Sequence, residues 1–237
     1  SPFSKAKINS KIPLLNCTSI KNLWIIVIAF SVNQSEHYYR ESSNLREQYN
    51  ILPGEKVVIH ISNFRKVKRI NDIIYSFEKI SKKTPAKLLL VGDGPEYSEM
   101  YQLVQSLGLE QHVLFLGKQK NIDELLSIAD LMLLLSEKES FGLVLLEAMV
   151  CGVPCIGTNI GGIPEVIVEN ENGFIVEVGD TDMVANKAIE LLTNNQLWAQ
   201  FSNNAKEHVQ KHFNADTILS HYMTVYQDAL TFGGIHA

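Results

Sequence analysis

Two glutamates separated by seven residues are the strongest candidates for chemistry in this chain: Glu139 and Glu147. The intervening Phe141-Gly142-Leu143 predicts a helix start, where backbone amides lack an earlier turn and can bind an anion. Glu147 follows one turn later among leucines, where a carboxylate is costly unless something hydrogen-bonds it. Vicinal ribose hydroxyls would do so. The alternative is that Glu139 is a surface acid and Glu147 an ordinary helix residue.

A basic cluster follows a predicted strand: Arg65, Lys66, Lys68 and Arg69 lie within five positions. Ligands of open α/β sheets bind at the carboxyl ends of strands, so Arg65, Lys68 and Arg69 are candidates to hold a polyanion together with helix amides. The cluster opens a predicted helix, and the positive end of a helix dipole prefers acids. This misfit favours phosphate binding over the alternative, a solvated basic helix start.

Glycines mark two further loops. Gly92 and Gly94 follow a predicted strand and allow the backbone to approach closely. The dinucleotide-binding fingerprint needs a third glycine at position 97, which is Tyr97, so a nicotinamide site is disfavoured. Gly161 and Gly162 fit a loop around a ligand and a simple turn equally well.

Other polar and sulfur-containing residues favour structural roles. Asp180 and Asp182 have the spacing of a metal-binding Asp-x-Asp, but they follow a glycine and begin a predicted helix, so Asp180 is expected to cap it. Cys151 and Cys155 have no second pair or nearby histidine and are expected to pack in the core. His60, on a strand, is expected to be a hydrogen-bonded core histidine. No metal site is predicted.

The elements that must position these residues alternate regularly. Apolar strands are predicted at 57–61, 88–91, 113–116, 131–135, 153–156 and 174–176, and helices at 69–83, 96–107, 121–129, 141–151 and 181–193. Strands that are apolar at every position indicate a sheet buried on both faces. The fold class is therefore α/β, a doubly wound, Rossmann-like parallel sheet, with closing helices at 196–212 and 214–231. Residues 51–237 are expected to form this domain. Residues 1–50, with a predicted strand at 23–30 and a polar helix at 38–49, have no assigned role.

Composition limits the partners. The chain has 237 residues, a formal charge of −5 and 46% hydrophobic residues, which is typical of a globular protein. The acidic balance argues against a general nucleic-acid or anionic-membrane surface. Three cysteines give no disulfide framework, and no apolar run has the length of a membrane span. We expect a cytoplasmic protein, with a homo-oligomer left open.

The motifs together resemble a known family. Glu139, seven residues and Glu147, with Phe141-Gly142 between them, resemble the signature of the family-4 retaining glycosyltransferases of the GT-B fold. The resemblance covers residues 56–230, the nucleotide-binding C-terminal half of such enzymes, and implies that the domain 51–237 binds a UDP-sugar. The strings HISNFRKVKR, LLLVGDGPE, SEKESFGLVLLEAM and CGVPCIGTNIGGIPEVI are similar to the subfamily of bacillithiol synthesis. The resemblance implies transfer of N-acetylglucosamine from UDP-N-acetylglucosamine to L-malate with retention, without a metal or other cofactor.

The resemblance also implies the site residues. The nucleotide-sugar site would comprise Asn63, Gly92, Gly117, Lys118, Phe141, Gly142, Leu143 and Glu147, with Arg65, Lys68 and Glu139 as catalytic residues. In this arrangement Arg65 and Lys68 hold the diphosphate, Glu139 contacts the donor sugar, and Glu147 binds the ribose. The backbone of the Gly117-Lys118 loop faces uracil.

Two departures from the family pattern matter. Ser62-Asn63 stands where many relatives have Gly-Arg. Asn63 therefore lacks the charge of that arginine, and Arg65 is expected to take over its role. The family's N-terminal half, which carries the acceptor site, has no counterpart before Lys56, so L-malate is expected to bind to that half. The alternatives are another UDP- or GDP-sugar transferase, acting on a polysaccharide or lipid, and a non-catalytic nucleotide-sugar binding module.

Overall fold

The computed structural model describes residues 44–213 together with residues 223, 224 and 227. The chain divides into two compact units, of which Gln34–Gln210 is one and Ser1–Asn33 with Lys211–Ala237 is the other. The predicted strand at 23–30 and most of the predicted helix at 214–231 lie outside the described residues, as does most of the segment 1–50.

A six-stranded parallel sheet forms the centre of the unit Gln34–Gln210, in the order β3-β2-β1-β4-β5-β6. The strands are β1 (Lys56–Ile61), β2 (Ala86–Val91), β3 (Val113–Gly117), β4 (Leu131–Leu134), β5 (Cys155–Thr158) and β6 (Gly173–Val176). After β1, the strands β2 and β3 are added on one side of it, and the chain then crosses back so that β4, β5 and β6 follow on the other side of β1. The pair β1–β4 is therefore a topological switch point, where α/β sheets bind ligands.

Helices connect the strands. They are α1 (Leu45–Gln48), α2 (Ile70–Ser81), α3 (Tyr97–Ser106), α4 (Ile122–Ile128), α5 (Leu143–Val150), α6 (Ile163–Val166), α7 (Thr181–Thr193) and α8 (Asn195–His212). A 3₁₀ turn, Lys66–Lys68, precedes α2. None of the helices in the described part of the chain combines the length and the apolar character needed to cross a membrane.

The doubly wound α/β prediction is confirmed, and the reason is visible in β1. Val57, Val58 and Ile59 are consecutive and all fully buried, which requires cover on both faces of the sheet. On one face, Phe77 of α2 belongs to the same core cluster as Leu191 of α7. Fully burying a side chain of this size contributes about 1.5–3 kcal/mol. The core thus holds the strand ends that carry the loops of the site.

One strand begins later than predicted. β5 starts at Cys155, two residues after the predicted start, because Val153 belongs to the cap of α5. Gly152 adopts a φ of +71°, and Val153 N donates to Ala148 O at 2.9 Å, which closes the helix end. The following Pro154 has no amide hydrogen, although its carbonyl accepts from Met132 N.

Candidate functional site

An open cleft of about 460 Å³ lies at the carboxyl ends of β1 and β4, at the switch point of the sheet. Its lining residues come from the loops that follow these strands and from the loop after β5: Asn63, Arg65, Val67, Lys68, Glu137, Lys138, Glu139, Ser140 and Ile160. The structure therefore brings four of the predicted site residues together. The volume falls within the range of small-molecule sites in proteins.

An ion pair joins the two walls of the cleft. Lys68 Nζ, on the 3₁₀ turn, donates to Glu139 Oε2 at 2.6 Å, and both side chains are more than four-fifths buried. Ser140 N donates to the other carboxylate oxygen of Glu139 at 3.1 Å. Exposed Arg65 and Lys138 lie at the same cleft. An anion that enters the cleft therefore meets three cations, one of which it must share with Glu139.

Two glycines support the wall formed by the loop after β1. A Cβ atom at Gly92 would lie 1.8 Å from Ser62 O, and one at Gly94 would lie 2.5 Å from Phe64 O. Phe64 N also donates to Asp93 O at 3.0 Å. The Gly-x-Gly segment thus lets the β2 loop pack directly under the loop that carries Asn63. Gly92 supports the cleft in this structure without lining it, and its contact with a ligand stays a prediction.

His60 anchors the same loop from below. Its side chain is fully buried, and Nδ1 donates to Leu133 O at 2.9 Å because a carbonyl oxygen can act only as an acceptor. Nε2 is then the acceptor for the Ser62 hydroxyl, at 2.7 Å. Burial lowers the pKa of His60 to about 4, so the imidazole is neutral near pH 7. The prediction of a hydrogen-bonded core histidine is confirmed.

Helix α5 begins beside the cleft and carries the second glutamate. Gly142 adopts a φ of +81° at its N-cap, and the first amides of the helix, at Leu143 and Val144, have no earlier turn to bond. Leu143 is 40% exposed. Half-buried Glu147 lies one turn along, where burial raises the pKa of its carboxyl group. Among the described residues, no side chain or backbone amide forms a hydrogen bond or ion pair with this carboxylate, and burial is the cause of the pKa shift.

The loop after β5 packs against the loop that bears Glu139. A Cβ atom at Gly161, whose φ is +58°, would lie 1.8 Å from Glu139 O. Gly162 N donates to Ser140 O at 3.1 Å, and a Cβ atom at Gly162 would lie 2.8 Å from the Cα atom of Phe141. These glycines therefore shape the wall of the cleft, and contact of their loop with a ligand stays a prediction.

The predicted uracil loop lies at the same edge of the sheet, outside the cleft. Gly117 ends β3 with a φ of +64°, and its carbonyl accepts from Gly92 N at 2.8 Å. Lys118 follows and is exposed. The structure therefore places Gly92, Gly117 and Lys118 together, beyond the residues that line the cleft. A nucleotide would have to extend across this edge to contact both groups.

Arg69 does not line the cleft, although its position in the basic cluster predicted that it would. α2 begins at Ile70, so the basic residues precede the helix on a separate turn instead of opening it. Arg69 Nε donates to Asp72 Oδ2 at 2.6 Å, and Nη1 donates to Glu137 Oε2 at 3.2 Å. These contacts, with the Asp72 hydrogen bond first, raise the pKa of Arg69. Arg69 therefore does not line the cleft with Arg65 and Lys68, and its direct contact with a polyanion stays a prediction.

Five of the lining residues were absent from the predicted site: Val67, Glu137, Lys138, Ser140 and Ile160. Most lie between or next to predicted site residues on the same loops, so extending each motif to its whole loop would have included them. Ile160 follows β5, and its neighbours Gly161 and Gly162 were the available signal.

The Asp-x-Asp segment is structural, as predicted. Met183 N donates to Asp180 Oδ1 at 2.9 Å, so Asp180 caps α7. Asp182 pairs with Lys79 at 2.6 Å. Within the described ranges, no group of three or more histidine, cysteine, aspartate or glutamate side chains is placed to hold a metal ion.

Known proteins share this fold and these motifs. The chain is 54% identical over 199 residues to N-acetyl-alpha-D-glucosaminyl L-malate synthase of Bacillus anthracis, covering 84% of this chain and 52% of that protein. The crystal structure of Anabaena HepE in complex with UDP and glucose superimposes with a TM-score of 0.76 at 28% identity, covering 82% of this chain and 55% of that one.

A solved structure of a single C-terminal domain is matched over almost its whole length. The crystallised C-terminal domain of LpcC from Francisella tularensis, a glycosyl transferase group 1 family protein, has a TM-score of 0.67 at 25% identity, covering 76% of this chain and 97% of that one. The chain spans about half the length of the first curated relatives it matches. The family model for glycosyl transferases group 1 matches residues 41–208, well over half of the sequence. The chain therefore belongs to the glycosyl transferases group 1 family.

Proposed function

We propose that this chain is the donor-binding part of a retaining glycosyltransferase that moves N-acetylglucosamine from UDP-N-acetylglucosamine to the hydroxyl group of L-malate. The observation that carries the proposal is the cleft at the β1–β4 switch point, where Arg65 and Lys68 face Glu139. The donor and acceptor are inferred from the 54% identity to the N-acetyl-alpha-D-glucosaminyl L-malate synthase of B. anthracis.

The cations of the cleft would assist departure of the nucleotide. When the glycosidic bond breaks, negative charge develops on the β-phosphate of UDP. Donors that are already in place stabilise such charge most effectively, and this is usually the largest single contribution to catalysis. Before the donor binds, the ion pair with Glu139 holds Lys68 at the cleft, and Arg65 is exposed at the mouth of the cleft. We assign the diphosphate to these two residues.

Glu139 would change partner when the donor binds. In the free chain its carboxylate accepts from Lys68 Nζ and from Ser140 N. A diphosphate attracts Lys68 by charge, which frees one carboxylate oxygen of Glu139 to accept hydrogen bonds from sugar hydroxyls. Glu139 is thus a residue that orients the donor sugar. The anomeric configuration of the sugar is retained if the acceptor hydroxyl attacks from the side where UDP leaves. A phosphate oxygen of the departing UDP then takes the proton of that hydroxyl.

Glu147 would bind the ribose. Its carboxylate is half-buried and without a partner among the described residues, which is costly for a charged group. Two vicinal hydroxyls offer two donors to one carboxylate, so binding would remove this cost. The first amides of α5, at Leu143 and Val144, lie one turn earlier and would face the phosphates or the sugar.

The acceptor would be held by the part of the enzyme that corresponds to the other half of the relatives. Orienting two reactants can supply roughly 7–11 kcal/mol of a barrier, so the donor half alone should transfer very slowly. The test measures N-acetylglucosaminyl-malate formed by the 237-residue chain alone and by a chimera with the N-terminal half of the B. anthracis relative. We expect product from the chimera, lost on Lys68→Ala. Transfer by the chain alone at the chimera's rate would contradict the division of roles, and transfer to other acceptors in place of malate would contradict the substrate.

A further inference from the structure

Arg69 connects three segments around the cleft. It follows the 3₁₀ turn with a φ of +49°, in a region that side-chain-bearing residues rarely occupy. Its guanidinium donates to Asp72 at 2.6 Å and to Glu137 at 3.2 Å. Asp72 is 5% exposed in the first turn of α2, whereas Glu137 lies in the loop after β4. Arg69 thus ties that loop to a buried position on α2.

A second bridge runs beside this one. Lys68 pairs with Glu139 at 2.6 Å, and the next residue, Arg69, pairs with Glu137, two positions before Glu139. A backbone bond joins the same two loops, because Glu137 N donates to Val67 O at 2.9 Å. The two ion pairs differ in surroundings, since Lys68 lines the cleft and Arg69 does not.

This difference matters for a ligand that carries phosphate. An anion in the cleft attracts Lys68 and competes with Glu139 for it, so the first bridge weakens on binding. The guanidinium of Arg69 lies outside the cleft and already has two carboxylate partners, Asp72 on α2 and Glu137 at the wall of the cleft, so the second bridge persists. Gly179 lies beside the guanidinium: a Cβ atom at that glycine would be in ordinary van der Waals contact with Arg69 Nη2, at 3.5 Å.

We propose that Arg69 is a positioning residue of the donor site, whose bridge from Asp72 to Glu137 holds the two walls of the cleft in register when a bound diphosphate draws Lys68 away from Glu139. The inference rests on the proposed function. It explains why an arginine occupies a left-handed backbone position where glycine would be unstrained: the side chain supplies contacts that glycine cannot.

The first test uses UDP binding to the 237-residue chain. Arg69→Gly keeps the left-handed backbone and removes the guanidinium, and Glu137→Gln removes the charge of its partner. We expect each variant to bind UDP roughly three- to thirtyfold more weakly, and the double variant to bind no more weakly than Arg69→Gly, because both remove one interaction. Arg69→Lys, which retains a cation, should recover part of the loss. The control is Asp182→Asn, which breaks the Lys79 pair on another surface.

The second test does not depend on UDP. Hydrogen exchange of the backbone amides at 137–143 should be faster in Arg69→Gly than in Asp182→Asn, when both are compared at equal global stability. If the parent does not bind UDP, the proposed function fails, and the exchange result still decides whether Arg69 holds the loop. Exchange equal to the control, UDP affinity equal to the control in a UDP-binding parent, strictly additive losses, or no recovery with lysine would each overturn the positioning role.

Discussion

Gly161 and Glu139 are in direct backbone contact, so close that a Cβ atom at Gly161 would lie 1.8 Å from the Glu139 carbonyl oxygen. The contact joins the loop after β5 to the residue that pairs with Lys68. Any side chain at position 161 must move one of the two loops. The position of the Glu139 carboxylate therefore depends on a residue that carries no chemistry of its own.

We predict that Gly161→Ala weakens UDP binding, because the methyl group displaces the Glu139 loop and with it the partner of Lys68. Gly108→Ala is a matched control: Gly108 has a φ of +68°, similar to the +58° of Gly161, but open space around its Cβ position. Both variants should lose about 1–2 kcal/mol of stability from the left-handed backbone. Calorimetric titration should show a loss of UDP affinity in Gly161→Ala alone. Equal UDP affinities in the two variants would show that the contact is irrelevant to the site.

The Glu147→Gln variant should be more stable than the parent chain and should also bind UDP more weakly. Burial raises the pKa of Glu147 in the folded chain, so the carboxylate reduces stability as the pH rises above its ordinary value of 4.5. Urea unfolding should therefore show a more stable variant at pH 7 and no difference at a pH below both pKa values. Losing hydrogen bonds between a charged group and the ribose should cost about 1–3 kcal/mol of UDP binding. The exposed Glu207→Gln is the control, and unchanged UDP affinity in Glu147→Gln would refute the ribose assignment.

His60 should make the fold less stable in mild acid. Its pKa is about 4 in the folded chain and 6.5 when unperturbed, so between these values the unfolded chain binds a proton that the folded chain does not. The contribution of His60 to the free energy of unfolding is fully present above pH 6.5. It decreases by about 3 kcal/mol as the pH falls to 4. Urea unfolding at pH 7, 5.5 and 4 should show a smaller loss in His60→Gln than in the parent. Identical losses would mean that His60 is not buried and neutral.

UDP binding should not require a divalent metal. Arg65, Lys68 and Lys138 supply positive charge at the cleft, while Asp180 is engaged in capping α7 and Asp182 pairs with Lys79. Calorimetric titration after treatment with EDTA should give the affinity of the untreated chain. Affinity that disappears with EDTA and returns with magnesium or manganese would contradict this prediction.

The sheet was predictable because its signals are local. Apolar runs such as Val57–Ile59 indicated strands buried on both faces, and Asp180 indicated a helix cap, which the bond to Met183 N confirms. The start of β5 was misplaced because the cap of α5 depends on Gly152, whose left-handed conformation overrides the apolar character of Val153.

The site was predictable where its residues lie next to strand ends, because parallel strands end at one edge of a sheet. Lys68 and Glu139 are 71 residues apart, yet both follow strands at the switch point. Contacts between residues that are distant in the sequence and lie on different loops were not predictable. Arg69 resembled a phosphate ligand in the sequence, and nothing in its neighbourhood along the chain indicated Glu137, which lies 68 residues away. The same holds for Gly161, whose contact with Glu139 comes from a different loop.

The central claim is that the cleft between Lys68 and Glu139 binds the diphosphate of a UDP-sugar. The most direct test is calorimetric titration of UDP into the 237-residue chain and into two variants, Lys68→Ala and Lys79→Ala. Lys68 lines the cleft, whereas Lys79 pairs with Asp182 on another surface, so both variants lose a paired lysine. We predict that the parent and Lys79→Ala bind UDP equally and that Lys68→Ala binds at least about tenfold more weakly, as expected for losing a charged hydrogen bond. Equal binding by all three proteins, or no binding by the parent, would contradict the claim.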